Sequence, residues 1–385
     1  MESESKRVLI STWVFPPASS GTGIILYELL RHLPQEQMIA VHSLGYPPLL
    51  LGNSLDVEQS VFLVGGSAKW TVRLMRRAPQ LLVPLIRRRI VRLARSHGVQ
   101  RIYAHFPAAC FVVAAWQAAK QLDLPLTVYF DILWEENYTG PAGALARKYE
   151  KRIFQYADRR FAITEFAVEH LQKKHGVDVQ LIPHLVDSSQ IPSRPTQLLT
   201  DGPATMHFCG GIYEKMNKDS IFRMVKAVQM TKSHPVLDFC VPEMPAELLE
   251  QGIVGRYVNH KELRKAQQES TILYLPQAFS SPQPEMVRRN FPTKAMDYLV
   301  SGRPILVHSP SDSYLTYLAR REGFALVVDR PDQSELAEAI DRLIEDQELQ
   351  RQVVDRGLTF AKSRDSRVWA QELWQAMGGE RRLPV

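Results

Sequence analysis

The sequence is poor in cysteine, lacks long uninterrupted apolar runs, and in one long window contains no acid. Of its 385 residues only three are cysteines, Cys110, Cys209 and Cys240. None is paired at metal-ligand spacing and each sits inside an apolar run. A disulfide framework and a cysteine-rich metal site are therefore disfavoured, and buried thiols in a reducing cytoplasm are expected. No stretch of about 18 uncharged apolar residues occurs, so no transmembrane helix is expected. Met1–Lys6 is short and charged and Val8–Ile10 reads as a first strand, which does not fit a signal peptide. No internal repeat or low-complexity tract is present. Between Val61 and Leu122 there is neither Asp nor Glu, while Lys69, Arg73, Arg76, Arg77, Arg87, Arg88, Arg89, Arg92, Arg95 and Arg101 fall in that window. This local excess says more about partners than the net charge of +6.

What is present is apolar material for two cores. Hydrophobic residues make up 45% of the chain, and the length suits two domains. Short β-rich runs alternate with helix-period runs. In the first half the expected strands are Arg7–Thr12, Ile39–Leu44, Arg101–His105, Leu126–Phe130, Arg159–Ile163 and Val179–Ile182. Helices are expected at Thr22–Leu33, Pro107–Leu122, Ala142–Ala157 and Phe166–His175. The alternation stops at Asp187–Pro203, a segment rich in Ser, Pro, Asp and Gly that reads as a linker. It restarts with strands at Thr205–Cys209, Leu237–Val241, Thr271–Leu275, Pro304–His308 and Ala325–Val328, separated by helices. The last helix expected is Val368–Met377. Strands alternating with helices imply parallel sheets covered on both faces. The domains expected are residues 1–190, a linker over 191–203, residues 204–364, and a C-terminal helix within 365–385 that packs back on the first domain. Ligands of such sheets bind at the carboxyl ends of the strands, and two such halves facing each other would make a cleft.

Three segments carry chemistry. Pro16–Tyr27 follows the first strand and opens the first helix. Gly21, Thr22 and Gly23 there would let a backbone approach a phosphate or a polar acceptor at a helix start, although a plain strand-to-helix turn explains them equally well. The segment is neither a dinucleotide fingerprint, since Leu26 replaces the third glycine, nor a P-loop. Phe208–Ala227 ends a strand in Gly210 and Gly211 and starts a helix near Lys218, a point charge suited to a phosphate, with Lys215 as competitor. Arg289–Leu306 places Pro292 at a first helical position, Thr293 and Lys294 in the first turn, and a C-capping Gly302 before Pro304. Lys294 and Asp297 are three apart and expected on one side of that helix. A first-turn lysine opposes the helix dipole, so its place there calls for a bound anion.

These segments resemble the retaining glycosyltransferases of the GT-B type, group 1, a family-4-like class with two Rossmann-like domains facing a cleft. In that class a carboxylate, seven residues and a second carboxylate precede a helix ending in Gly-x-Pro. Asp297, Gly302, Arg303 and Pro304 match the second half of this pattern. Gly210–Gly211 and Lys218 look like its phosphate loop, and Phe161–Asp187 looks like the exit from its first domain. The resemblance implies that Asp297 holds the ribose. It implies that Lys218, with the helix start Phe291–Lys294, holds the diphosphate of a nucleotide sugar donor, without a metal. Charge builds on the departing diphosphate, and protein cations and dipoles stabilise it.

The sequence also departs from the pattern. Arg289 stands where the first carboxylate is expected, and Glu285 is the candidate stand-in. The usual arginine of the phosphate loop is Ile212 here, so Arg288 or Arg289 would supply that charge. The polar pair at a first-domain strand end is reduced to Asp131, expected to orient an acceptor hydroxyl or stabilise the sugar cation, with an N-cap of Ile132–Glu136 as the alternative. His105 and His184 read as structural histidines, and Trp13 and Trp134 as core or sugar-stacking residues. Lys69–Arg95, broken by Pro79 and Pro84, reads as a surface lying on anionic lipid, its apolar side chains Leu81, Leu82, Val83, Leu85, Ile86, Ile90 and Leu93 dipping into the membrane. No nucleic-acid motif accompanies that charge. The expected activity is sugar transfer to a glycan or lipid-linked acceptor in polysaccharide assembly, in the cytoplasm at the inner face of the membrane. A silent binding domain and a nucleotide-sugar epimerase are the alternatives.

Overall fold

The computed structural model describes residues 7–18, 20–43, 54–62, 73–75, 77–192 and 202–379. The chain forms two α/β units, one of residues 1–185 with 366–385 and one of residues 186–365. The first contains β1 (Arg7–Ser11), α1 (Gly21–Leu30), β2 (Met38–Ser43), β3 (Glu58–Phe62), α2 (Pro79–Ser96), β4 (Val99–Phe106) and α3 (Ala109–Leu122). It continues through β5 (Leu126–Phe130), α4 (Gly140–Tyr156), β6 (Arg159–Ala162), α5 (Glu165–His175) and β7 (Gln180–Leu181). Its sheet is parallel throughout, in the order β3-β2-β1-β4-β5-β6-β7.

The second unit contains β8 (Thr205–Cys209), α6 (Lys218–Val228), β9 (Val236–Cys240), α7 (Ala246–Leu249), β10 (Gly255–Arg256), α8 (His260–Gln268) and β11 (Ile272–Pro276). Then come α9 (Pro284–Arg289), α10 (Lys294–Ser301), β12 (Ile305–His308), α11 (Tyr314–Glu322), β13 (Leu326–Val328), α12 (Gln333–Glu345) and α13 (Gln347–Lys362). The order β10-β9-β8-β11-β12-β13 is again parallel. Both sheets reverse their strand order beside their first strand, at β1/β4 and at β8/β11. That reversal opens a crevice at the carboxyl ends of those strands. The last helix, α14 (Ser366–Ala376), belongs to the first unit. Its Ala370, Leu373 and Trp374 share a core with Leu26 and Leu29 of α1 and with Tyr103 of β4.

The central strands were legible because both their faces are covered. Leu126–Phe130 is buried at every position, which requires a continuous apolar run. Two edge strands were not expected. Glu58–Phe62 is polar and half exposed, and Gly255–Arg256 is two residues long and exposed. An edge strand has one covered side at most, so apolar patterning does not mark it. The unit boundary falls between Leu185 and Val186, before the expected linker, of which residues 193–201 lie outside the described residues.

Of the two prolines expected to break the basic segment, Pro79 follows a break, at the non-helical Ala78, whereas Pro84 makes none. Pro79–Ser96 is one helix of 18 residues, with Pro79 at its start and Pro84 inside it. A proline at the start costs no hydrogen bond, and Pro84 forfeits only the one to Gln80. Burial of Leu82, Val83, Ile86, Ile90, Val91 and Ala94 outweighs that loss. Four of the apolar side chains expected to dip into lipid, Leu82, Val83, Ile86 and Ile90, therefore lie in the protein core. Lys69 and Arg76 lie outside the described residues.

A charged cluster fixes the segment that follows β5. Lys174 of α5 donates to Glu136 and Glu150, each at 2.7 Å, and lies 2.9 Å from Glu135. Glu150 is 1% exposed and also faces His175 at 3.0 Å. Burial alone would raise Glu136, but its bonds to His170 and Lys174 win and hold it at about 2. Lys174→Met would leave Glu150 buried against little positive charge. The first unit is expected to lose about 3 kcal/mol, measured by urea unfolding at pH 7. For Glu136 the folded chain releases a proton that the unfolded chain still binds. Its stabilisation is complete above about pH 5 and fades as pH falls towards 2. An acid titration of stability that shows no loss across that window would contradict the assignment.

Candidate functional site

In the first unit the crevice at β1/β4 collects side chains that lie far apart in the chain. Ser20 caps α1 by accepting from the Gly23 amide at 3.1 Å. Gly23 is required by packing, since a Cβ there would lie 2.0 Å from the Ala18 carbonyl oxygen. Capping presents Thr22 on the first turn, and its hydroxyl donates to Asp131 Oδ2 at 2.8 Å. His105, at the end of β4, places Nε2 3.5 Å from the same oxygen. Its Nδ1 is 3.0 Å from the Tyr103 hydroxyl, and the Tyr129 ring lies 4.7 Å from its own. Tyr103 and His105 are two apart in a strand, hence on one face. Burial, and then the charge of Asp131, hold the Tyr103 hydroxyl well above its ordinary pKa, so it stays protonated.

Asp131 is almost completely buried, and its Oδ1 makes no hydrogen bond among the described residues. An orphaned buried carboxylate oxygen is uncommon and calls for an absent partner. Residues 132–136 form turns and no helix, so Asp131 does not cap one. Its bond goes to Thr22. The structure thus joins Thr22 and Asp131, both anticipated, and adds His105, which read as merely structural. The signal for His105 was its position at a strand end, one strand before Asp131. Trp134 is a core residue, buried with its indole N–H on the Ala142 carbonyl at 3.2 Å.

In the second unit β8 ends at Cys209 and turns at Gly210, whose φ of +92° suits only glycine. Lys294, the first residue of α10, reaches under this turn. Its Nζ donates to the Cys209 carbonyl at 2.6 Å and sits 4.0 Å from the centre of the Phe208 ring. A Cβ at Gly210 would lie 3.2 Å from that nitrogen, a tight contact that would press on it. Burial pulls the Lys294 ammonium from 10.5 down to about 8. No carboxylate pairs with it among the described residues. A desolvated cation held by one carbonyl is a position for an anion.

Lys218 behaves differently. It opens α6, but its ammonium is 2.8 Å from Glu247 and 3.7 Å from Glu214. Lys215 is exposed. The lysine that meets the glycine turn is Lys294. Gly211 is crowded by the Tyr213 ring. Pro292 and Thr293 precede α10 in a tight turn, with Ala295 bonded to Pro292 and Met296 to Thr293. The helix therefore begins at Lys294, and Pro292 is not its first residue. Phe291 is buried edge-on against Tyr314.

Lys294 and Asp297 do not share partners. Asp297 lines a small cavity with Gln190, His260, Arg264 and Gln267. Burial raises its carboxyl, while His260 and Arg264 pull it back. Glu285 lies on α9 and is ion-paired with Arg288 and Arg289. Arg288 also bonds Asp312 at 2.7 Å. A carboxylate engaged by two guanidinium groups is a poor base and a poor ligand for sugar hydroxyls, which weakens the catalytic expectation for Glu285. Elsewhere His207, Asp238 and Cys240 offer three ligand atoms close together on β8 and β9. Arg256 already bonds Asp238 at 2.9 Å, and burial pushes the Cys240 thiol up to about 11. The positive charge there is supplied by arginine.

The model of Glycosyltransferase Family 4 matches residues 19–190, under half of the chain. No curated protein sequence matches it. Among solved structures, sucrose-phosphate synthase from Thermosynechococcus elongatus is similar at TM-score 0.72 and 16% identity, over 97% of this chain and 98% of that one. HepE of Anabaena in complex with UDP and glucose is similar at TM-score 0.66 and 13% identity, over 97% and 100%. The α,α-trehalose-phosphate synthase (UDP-forming) of Burkholderia vietnamiensis is similar at TM-score 0.64 and 13% identity, over 98% and 99%. The fold is that of GT-B glycosyltransferases, with two Rossmann-like units built on parallel sheets.

Proposed function

We propose that the chain is a glycosyltransferase that takes its sugar from a nucleoside diphosphate sugar. The observation that carries this reading is the half-buried Lys294 ammonium beneath the Gly210 turn, a cation without a carboxylate partner among the described residues. The family match in the first unit and the sugar-transferring names among the structural neighbours support it. So does HepE, whose structures hold UDP and UDP-glucose.

In this reading the diphosphate lies at the Gly210 turn and the start of α10, and Asp297 accepts from ribose hydroxyls. The bond from the anomeric carbon to the diphosphate oxygen breaks and its electron pair leaves with the diphosphate. Lys294 and the backbone amides at the helix start meet that charge. The acceptor oxygen bonds the anomeric carbon and gives up its proton to the departing diphosphate oxygen. Asp131, through its unbonded Oδ1, orients that hydroxyl or stabilises positive charge on the sugar. Retention of configuration, independence from metal and a place in polysaccharide assembly complete the proposal. Pairing of Glu285 with Arg288 and Arg289 favours one second reading, a domain that binds the nucleotide without transferring.

A thermal-shift panel of UDP, GDP, ADP and CDP tests the reading. At a hundredfold excess over its Kd, the preferred nucleotide should stabilise the chain by about 2.7 kcal/mol, seen as a rise of several degrees in Tm. Asp297→Ala should cancel most of that rise. If none of the four moves Tm, the transferase reading fails. If one binds but no transfer or hydrolysis follows with any sugar attached, the silent domain takes its place.

A further inference from the structure

We infer that the exposed face of α2 is a docking surface for an anionic lipid bilayer. The inference is independent of the sugar-transfer reading. The apolar side of α2 is consumed by the core, so what remains outside is selective. Leu81 and Leu85 are 63% and 48% exposed, and Arg88, Arg92 and Arg95 are exposed beyond them along the same helix. At 100° per residue these five positions fall within an arc of about 80°, one straight stripe. It is leucine at the N-terminal end and arginine at the C-terminal end.

The arginines border a groove. Arg87, Arg88, Arg92 and Arg95 line it, closed on one side by Gln121 of α3. None of the four makes an ion pair among the described residues, and the Arg87 Nε is buried without a hydrogen-bond partner there. Arg89, by contrast, is tied to Ser60 at 2.6 Å and takes no part. Asp123, just past α3, acts on Tyr156. Four unneutralised guanidinium groups in one groove attract phosphate oxygens. The two leucines on the same stripe distinguish the partner. A soluble polyanion gives them nothing to bury in, whereas a bilayer takes up apolar side chains beside phosphate head groups. No helix among the described residues is long and apolar enough to cross a membrane, so the contact is with the surface.

Flotation of the full chain with vesicles decides it. With phosphatidylcholine vesicles carrying about one third phosphatidylglycerol, the chain should float at low salt, and with pure phosphatidylcholine it should not. Raising salt should weaken the binding. The triple variant Arg88→Glu, Arg92→Glu, Arg95→Glu should partition at least about 100-fold more weakly, at about fivefold per arginine taken from the surface. Leu81→Ser with Leu85→Ser should weaken vesicle binding but leave retention on heparin unchanged. All five side chains are exposed, so unchanged circular dichroism and Tm confirm that the variants fold. Failure of the wild type to float with anionic vesicles overturns the inference. So does a triple variant that floats as well as wild type, or vesicle binding indifferent to the leucines, which would point to a soluble polyanion or a nucleic acid.

Discussion

Lys294→Met should severely weaken nucleoside diphosphate binding while leaving the unliganded chain at least as stable as wild type. The two effects have one cause. Holding the ammonium under the Gly210 turn lowers it to about 8, a burial penalty on the order of 3 kcal/mol. Among the described residues the Cys209 carbonyl and the Phe208 ring offset it. Methionine removes the penalty and keeps the volume, but orphans that carbonyl, which returns part of the gain. Removal of the cation from a phosphate contact should weaken binding by about 100-fold or more. The sign of the pH effect follows from linkage. Between about pH 8 and 10.5 the folded chain has released a proton that the unfolded chain still holds, so wild-type stability gains with rising pH from Lys294. The variant should lack that gain. Nucleotide affinity of the wild type should fall above about pH 8, where the ammonium is lost. Calorimetric titration with UDP and urea unfolding at pH 7, 8.5 and 10 measure all of this. Unchanged affinity in the variant would remove Lys294 from the site.

The second large effect is expected at Asp131. Asp131→Asn should reduce sugar transfer by about 1,000-fold, within the range for removing one positioned group that stabilises charge in the transition state. It should leave nucleotide affinity unchanged, because Asp131 bonds Thr22 and faces His105 in the first unit. Asparagine can still accept from Thr22, and it no longer carries a buried charge with an unbonded oxygen. The variant should therefore fold with undiminished stability. Single-turnover transfer beside a nucleotide titration separates the two readouts. Transfer at the wild-type rate would confine Asp131 to a structural bond.

Several of these features could be read before any coordinates. Leu126–Phe130 is apolar at each position and became a fully buried strand. Gly210 and the start of α10 were both singled out as places for an anion. Glu58–Phe62 and Gly255–Arg256 were missed because edge strands carry polar residues. Pro84 suggested a break in a helix that is continuous, because local propensity is overridden when one face is buried in a core.

Local covalent chemistry accounts for what the chain determined unaided. Alternating strand and helix periods dictate two parallel sheets, and a glycine at a strand end permits a turn that other residues resist. Pairing of charges is not local. Lys218 and Lys294 are alike in sequence terms, each near the start of a helix, but one finds Glu247 across the fold and the other is pressed beneath Gly210 without a carboxylate among the described residues. Thr22 and Asp131 are 109 positions apart and meet only because β1, β4 and β5 lie side by side. Strand order, burial and the competition of each charge for a partner were decided by the tertiary structure. They select which of several equivalent side chains is left unsatisfied and thereby available to a ligand.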